Sequence, residues 1–490
     1  RIARFRICLT PPLHPNWDIK AGEKPNSKSE IRNPTGRHDL DWRYAVPDAD
    51  CFSGGAGVGS AALQDWIVAE EMSLTVERIS ARRLHYAWVV LAASVATVFA
   101  SLGLARFGYT MILPDMRQGL QFSYTQMGAL ATGNFVGYLV FALLGGYLAS
   151  RFGPRLVIAI SLVFAGAAML LTGLASGFVV ALVGRTLTGL GSGGSNVPVM
   201  GLISAWFGRR LRGMAAGIAV GGSGIGMVVT GWVVPRIIAS SPDTGWRISW
   251  YVLGGVVVAL GVAVWLILRD QPAAMGLRAV GDDEPVGTSP PNPEPQRIPI
   301  RRLYTSPLLV QLGLIYAAFG FSYIIYATFF AAYLTEERGL SSAQAGAMWS
   351  LVGVLAIFCG FVWGGLSDRI GRRVGLALVF ALEGIAILLI AVWTAPAGYM
   401  VSAFLFGFTA FAIPAIMAAA CGDFVGPRLA PAALGAITLV FGIGQSIGPS
   451  VGGWLADWSG SFAAAFVVAA VAAFLGSAAA MALRRQGVAL

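Results

Sequence analysis

Long apolar runs follow one another through most of the chain and leave few folds open to it. From residue 86 onward, each run is separated from the next by a short polar segment. A helix needs about 20 apolar residues to cross a bilayer, and continuous runs favour helices over the alternating strands of a barrel. The sequence therefore predicts an all-α polytopic membrane protein whose twelve spans are 86–114, 127–149, 156–175, 178–201, 213–237, 247–268, 307–334, 345–366, 374–394, 398–420, 431–455 and 461–483.

The composition agrees with a chain that lies in lipid. Of the 490 residues, 56% are hydrophobic and 12% are charged, which is about half the charged share of a soluble domain. So little charge cannot cover soluble domains of this total length with a polar surface, and this excludes a large cytosolic enzyme. The net charge of +10 comes from basic residues scattered between apolar runs, so no nucleic-acid partner is expected.

Polar segments divide the chain into four parts. Residues 1–71 lack a long apolar run, and Met72 opens a short basic lead into the first span. We interpret 1–71 as an upstream-translated or mis-called N-terminal extension; a genuine disordered tail is the alternative. Residues 72–268 and 307–490 are expected to form two six-helix bundles. Residues 269–306 are rich in proline and polar residues and are expected to form a cytoplasmic linker.

Arginines are distributed unequally between the two sides of the predicted bundle. The side that carries both chain ends has 19 of them near the spans, and the other side has 4. Because positively charged loops remain in the cytoplasm, both termini are expected there. The sequence thus predicts a multi-pass protein of the plasma (inner) membrane.

The chain repeats itself at a single offset. Residues 145–155 read GGYLASRFGPR and residues 363–373 read WGGLSDRIGRR, 218 positions later. Gly226 and Gly444, in a different region, are separated by the same 218 positions. Two regions that agree on one offset indicate that the halves are parallel repeats, an architecture that places a substrate site between them at mid-membrane.

These segments resemble motifs of the major facilitator superfamily, and the resemblance covers nearly all of 80–485. The family's loop pattern G-x-x-x-D-R-x-G-R-R fits the second copy, whereas Ser150 replaces the aspartate in the first. Residues 444–455 are similar to the family's glycine-proline pattern in span eleven. The resemblance implies gating or conformational roles for Gly146, Arg151, Gly153, Arg155, Gly221, Gly226, Gly364, Asp368, Arg369, Gly371, Arg372, Arg373, Gly448, Pro449, Gly452 and Gly453.

Two arginines lie within predicted spans, where a charge costs about 2.5–3.5 kcal/mol on insertion scales. Arg106 belongs to span one and Arg185 to span four, and their repeat equivalents are Ile324 and Ala403, so the repeat does not require either charge. In the superfamily these spans line the cavity, which implies that both guanidiniums could bind an anionic substrate. The alternative is that either arginine reaches outward or bonds to backbone carbonyls.

Other polar or aromatic residues fall on helices that line the cavity in the superfamily. The spacing of Tyr316, Tyr323 and Tyr326 in span seven places these residues near one helical face. The alternative is that they pack within the bundle. The further substrate-site candidates are Asn134, Gln311, Tyr316, Tyr323, Tyr326 and Gln445.

Glu383 lies near the middle of span nine. Desolvation favours the neutral form of such a carboxyl. The alternatives are a structural role, protonated or partnered, and a role in proton coupling.

The resemblance implies a secondary active transporter with alternating access. The intramembrane arginines, and the likeness of Trp206–Gly226 to the monocarboxylate and oxalate-formate branches, favour a small organic anion. A drug or metabolite exporter is the alternative within this class, and a transporter-like sensor is the alternative outside it. The expected partners are a small-molecule substrate, a proton and the lipid bilayer, with the monomer as functional unit. No cofactor, metal site or enzymatic activity is expected.

Overall fold

A computed structural model describes residues 85–281, 306–426 and 429–483 of the chain. The predicted N-terminal extension and most of the predicted linker lie outside these ranges. The described residues form twelve long helices, numbered here in chain order. They are α1 Tyr86–Leu120, α2 Tyr124–Phe152, α3 Pro154–Gly173, α4 Phe178–Trp206, α5 Arg209–Ser240, α6 Gly245–Ile267, α7 Pro307–Glu337, α8 Ser342–Ile370, α9 Arg372–Val392, α10 Pro396–Val425, α11 Ala430–Ser459 and α12 Phe462–Met481.

Eleven of these helices are long and apolar enough to cross a membrane. The exception among the described helices is α4, in which glycine, serine and threonine replace many apolar residues. Large apolar side chains on other helices point away from the bundle: Leu143, Leu314 and Leu475 are each more than 60% exposed. An apolar surface of this kind belongs in lipid. The all-helical polytopic fold predicted from the sequence is confirmed.

Local signals at the ends of α2 and α8 repeat with the sequence. Ser123 and Ser341 each form a capping box with the glutamine three residues later. The two helices end at Gly153 and Gly371, whose φ angles are +86° and +88°, a backbone conformation that favours glycine. The offset of 218 therefore joins equivalent helix starts and equivalent turns.

The helices pack as two halves, α1–α6 and α7–α12. Within the first half the largest contacts join α2 to α4, α3 to α4 and α3 to α6; within the second they join α7 to α11 and α9 to α12. The halves meet mainly where α2 packs on α11 and α5 packs on α8, with α1 facing α7 between them. The centre of the molecule therefore lies between α1 and α7 and is flanked by the α2–α11 and α5–α8 contacts.

Glycines bring the halves together symmetrically. A Cβ on Gly128 of α2 would collide with the Pro449 carbonyl of α11, and a Cβ on Gly346 of α8 would collide with the Gly231 carbonyl of α5. Each residue of the first pair is 218 positions from a residue of the second. The two contacts are thus equivalent, and both depend on the absence of a side chain at the closest approach.

The two ends of the bundle differ in how the halves are held. We call the end that carries the α2–α3, α4–α5, α8–α9 and α10–α11 connections the basic end, and the other the opposite end. At the opposite end Arg117 of α1 is 3.0 Å from the Glu336 carboxylate of α7, which also accepts a 2.8 Å hydrogen bond from the Tyr124 hydroxyl. Asp457 of α11 accepts hydrogen bonds from the first two backbone amides of α2, those of Tyr124 and Thr125.

At the basic end, no hydrogen bond or ion pair between the halves is found in the described part of the chain. A Cβ on Gly213 of α5 or on Gly435 of α11 would meet no atom within 4 Å. The polar bonds between the halves of the described chain therefore lie at the opposite end and further inside the bundle, and not at the basic end.

Candidate substrate site

A small cavity lies between the halves, close to the opposite end, and we call it the central cavity. Its free volume is about 10 Å³, room for little more than one water molecule. Helices α1, α2, α4 and α7 line it, which are three helices of the first half and one of the second. The lining residues are Arg106, Phe107, Tyr109, Thr110, Ala131, Phe135, Arg185, Ile324, Ala327 and Thr328.

Arg106 is the least satisfied of the buried charges around this cavity. It lies in a π-helical stretch of α1, Phe99–Phe107, a local widening that often marks functional sites. The guanidinium carbon lies 4.2 Å from the ring centre of Tyr138 and 4.9 Å from that of Phe135. The side chain is only 8% exposed, yet its Nε and one terminal nitrogen have no hydrogen-bond partner. Its donors are thus free for a ligand.

Arg185 is held more firmly. Its guanidinium carbon lies 4.6 Å from the ring centre of Tyr109 and 5.1 Å from that of Trp250. One terminal nitrogen donates a 2.8 Å hydrogen bond to the carbonyl of Ala105, the residue before Arg106. The Nε has no partner. Arg185 therefore carries a second positive charge at the cavity and also fixes the turn of α1 that presents Arg106.

Asn134 does not project its amide freely into the cavity. Its side-chain nitrogen donates a 3.0 Å hydrogen bond to the backbone carbonyl of Arg185, while its oxygen is buried without a partner. This hydrogen bond thus links α2 to α4 at the residue that carries the Arg185 side chain.

The second half contributes an aromatic wall. The rings of Tyr316, Phe319 and Tyr323 on α7 and of Phe441 on α11 lie within 23° of parallel. The Tyr323 hydroxyl accepts a hydrogen bond from the Gln445 side chain. Tyr316, Tyr323 and Gln445 are therefore brought together on one wall.

Two of the predicted site residues lie elsewhere. Tyr326 is wholly buried in the second half, where its ring stacks on Phe406 at 4.0 Å and its hydroxyl bonds to Ser402. Gln311 donates a hydrogen bond to the Ala479 carbonyl of α12. The expectation that three tyrosines share one face is corrected: Tyr326 points to α10, whereas the other two stack against α11.

Tyr138 was not among the predicted site residues. It lies one helical turn after Asn134 on α2, its ring covers the Arg106 guanidinium, and its hydroxyl accepts a 2.9 Å hydrogen bond from Asn196 of α4. Its position four residues after Asn134, on the same face of the helix, was the sequence signal that could have identified it as a site residue.

The predicted gating loops differ between the halves. In the second half Arg372 bonds to Asp368 and Asp423 and to the Ser367 hydroxyl. The first half has Ser150 and Ala205 at the positions of the two acids. Instead, Asp270, which follows α6, accepts a 2.8 Å hydrogen bond from the Arg155 amide at the start of α3. The charged network is therefore confined to one of the two loops.

The remaining gating candidates have different surroundings. Gly226 packs on Gly103 of α1 within the first half, and Gly448 and Gly452 pack on α7 within the second. Gly453 and Pro449 meet α2 of the other half, and Gly221 meets Ile357 of α8. No close neighbour from another helix surrounds Gly364, and the nearest to Gly146 is Val197. Arg151, Arg369 and Arg373 are exposed at the basic end.

Glu383 of α9 lies inside the second half and is fully buried. One carboxyl oxygen accepts a 3.3 Å hydrogen bond from Ser322 of α7. The other has no partner.

Two six-helix halves with lipid-facing apolar surfaces define the class of the protein: a multi-pass integral membrane protein. The chain belongs to the MFS-type transporter family described as "Uncharacterised MFS-type transporter YbfB", whose sequence model matches residues 98–481. This result confirms the resemblance found in the sequence and places the chain among transporters rather than enzymes.

Individual curated relatives are similar to the chain over only part of its length. The chain is 28% identical over 281 residues to the probable sulfoacetate transporter SauU of Cupriavidus necator, a match that covers 55% of this chain and 62% of the relative. It is 25% identical over 276 residues to the hexuronate transporter of Bacillus subtilis, again covering 55% and 62%. The chain therefore spans about three fifths of the length of these two relatives.

A solved structure supports the fold. The crystal structure of a bacterial homologue of the human lysosomal transporter Spinster, in an inward-facing and unoccupied conformation, aligns with a TM-score of 0.64 at 18% identity. The alignment covers 82% of this chain and 99% of that one. At this identity the likeness concerns the fold alone.

Proposed function

We propose that the protein is a secondary active transporter of a small organic anion, such as a monocarboxylate. The observation that carries this proposal is Arg106, a buried guanidinium in the central cavity with unpaired donors. A buried positive charge without a partner is costly, and a carboxylate or sulfonate would supply the missing acceptors.

The second arginine strengthens the argument. The side chains of Arg106 and Arg185 both line the central cavity. Repulsion between two like charges in a medium of low dielectric constant is relieved by an anion placed between them. The relatives named as sulfoacetate and hexuronate transporters support a substrate with an acidic group.

A drug or metabolite exporter is less well supported. Such a protein would be favoured by a cavity of aromatic residues from which both arginines turned away. Here both arginines line the central cavity, whereas none of the four rings of the aromatic wall is among its lining residues. No comparable observation among the described residues favours a sensor.

The transport cycle that we propose is alternating access in the plasma (inner) membrane. The halves are bonded at the opposite end, so in this state the substrate would enter and leave by the basic end. The arginine distribution supports a cytoplasmic location for the basic end and for both termini. One chain surrounds the whole cavity, which supports the monomer as the functional unit.

Uptake by reconstituted vesicles tests the proposal. Purified protein in liposomes is given a panel of labelled monocarboxylates, sulfonates and hexuronates, with Arg106→Ala beside the wild type. Because the lost ion pair is worth 1.4 kcal/mol or more, we expect at least about a tenfold fall in uptake at subsaturating substrate. Arg236→Ala, an exposed arginine of α5 outside the cavity, serves as the control.

Either of two results would reject the proposal. The first is saturable uptake of neutral compounds in preference to every anion of the panel. The second is equal anion uptake by the wild type and Arg106→Ala. A reporter fused after residue 490 would test the orientation independently.

A further inference from the structure

Glu383 is an acid that the proposed anion site does not use. It is fully buried in α9, one oxygen accepts a long hydrogen bond from Ser322, and the other is unpaired. No ion pair to Glu383 is found among the described residues. An ionised carboxylate in this position would lack both a counter-charge and adequate hydrogen bonding, which costs several kilocalories per mole.

The fold itself does not require an acid at this position. The repeat equivalent of Glu383, 218 residues earlier, is Ala165 of α3, which is buried against Gly191 of α4. The same place in the architecture is thus filled by a methyl group in the first half. An acid that packing does not need, kept at an energetic cost, points to a role in the transport cycle.

A short connection leads from this acid to the central cavity. Ser322, which donates to Glu383, immediately precedes Tyr323 on α7. Tyr323 belongs to the aromatic wall, and the next residue, Ile324, lines the cavity. A rotation or tilt of α7 would therefore change the surroundings of Glu383 and of the anion site together.

The groups that face Glu383 are few. From α7 they are the Ser322 hydroxyl and, further away, the Tyr323 phenol. From α12 the neighbouring turn meets the ring of Phe474, packed on Gly384. Tyr323 is thus the ionisable neighbour, and it is uncharged at neutral pH.

We propose that Glu383 binds the proton whose movement is coupled to that of the anion, an inference that rests on the proposed function. The carboxylate takes up one proton and becomes a neutral carboxyl, the form that suits the closed surroundings seen here. The proton leaves when a change in α7 opens those surroundings to water. Each proton carried with the anion cancels one of its negative charges.

The test separates coupling from transport itself. Vesicles containing wild type, Glu383→Gln or the control Asp243→Asn, an exposed loop acid, are assayed for two activities with the same labelled anion: exchange without gradients, and accumulation driven by a pH gradient. We expect Glu383→Gln to retain exchange and to lose gradient-driven accumulation. The glutamine imitates the neutral acid but cannot release a proton.

Several outcomes would overturn the inference. One is gradient-driven accumulation by Glu383→Gln at the wild-type level, and another is loss of both activities in a folded variant, which indicates a structural residue. A wild type that exchanges the anion but ignores the pH gradient would remove coupling and leave the proposed function intact.

A measurement without substrate is also available. Infrared difference spectra of the full protein should contain a C=O band of a protonated carboxyl that titrates with pH and disappears in Glu383→Gln. Absence of such a band would overturn the proton site even if the proposed function also failed.

Discussion

At the scale of single residues, the two intramembrane arginines have different surroundings. Arg106 has unpaired donors and only aromatic faces around it. Arg185 is clamped between two rings and bonded to the carbonyl that precedes Arg106. We therefore separate their proposed roles: Arg106 contacts the anion, and Arg185 supplies charge and positions Arg106.

This separation predicts how a conservative change will act. Arg185→Lys keeps the charge but loses the planar group that fits between Tyr109 and Trp250. We expect a higher KM for the anion with a smaller change in maximal rate, whereas Arg185→Ala should lose both. Initial uptake rates over a range of substrate concentrations measure this. An unchanged KM in Arg185→Lys would show that the clamp does not position Arg106.

The sequence located part of the site, and the reason for the rest is geometric. Arg106 and Arg185 were found because charges inside spans are rare. Tyr326 could not be separated from Tyr323 by spacing alone, because three residues leave the two side chains about 60° apart on a helix. The π-helical stretch of α1 shifts the register of that helix, and no sequence signal announced it.

At the scale of helices, much of the prediction rested on the offset of 218 residues. It anticipated equivalent turns at Gly153 and Gly371, and the structure adds the equivalent contacts Gly128–Pro449 and Gly346–Gly231. The loop networks could not be inferred in this way. Asp270 is distant in sequence from α3, whose first turn it caps.

The close contact between α2 and α11 yields a prediction for Gly128. Gly128→Leu places a branched side chain against the Pro449 carbonyl, so the opposite end cannot close and transport should be lost although the protein folds. Gly255→Leu, at an exposed position of α6 where a Cβ would meet no atom within 4 Å, is the matched control and should transport normally. Uptake and the thermal stability of both variants measure this. Normal uptake by Gly128→Leu would contradict the proposed closure.

At the scale of the whole molecule, we propose that the polar bonds at the opposite end decide which side of the bundle opens. Glu336 connects the second half to Arg117 and Tyr124 of the first, and Asp457 caps α2 from α11. Equivalent bonds are absent at the basic end of the described chain. Removing the bonds at the opposite end should therefore favour the state that is closed at the basic end.

We therefore expect Glu336→Gln to shift the population towards opening at the opposite end. Spin labels are attached at Gln121 and Ala343, both exposed at that end, in a protein from which the native cysteines have been removed. Pulsed electron paramagnetic resonance should measure a longer distance between the two labels in the variant than in the wild type. The control is Glu336→Asp, which keeps the charge. Identical distance distributions in wild type and Glu336→Gln would show that this ion pair does not hold the gate.

The low hydropathy of α4 has a consequence for how the protein is made. A segment with an arginine, an asparagine, several hydroxyl groups and many glycines partitions poorly from the translocation channel into lipid by itself. Its polar bonds to earlier helices go to α2, through Asn134 and Asn196, and to α1, through Arg185. Biogenesis should thus be cooperative, with α4 retained beside the channel until α1 and α2 are present to receive it.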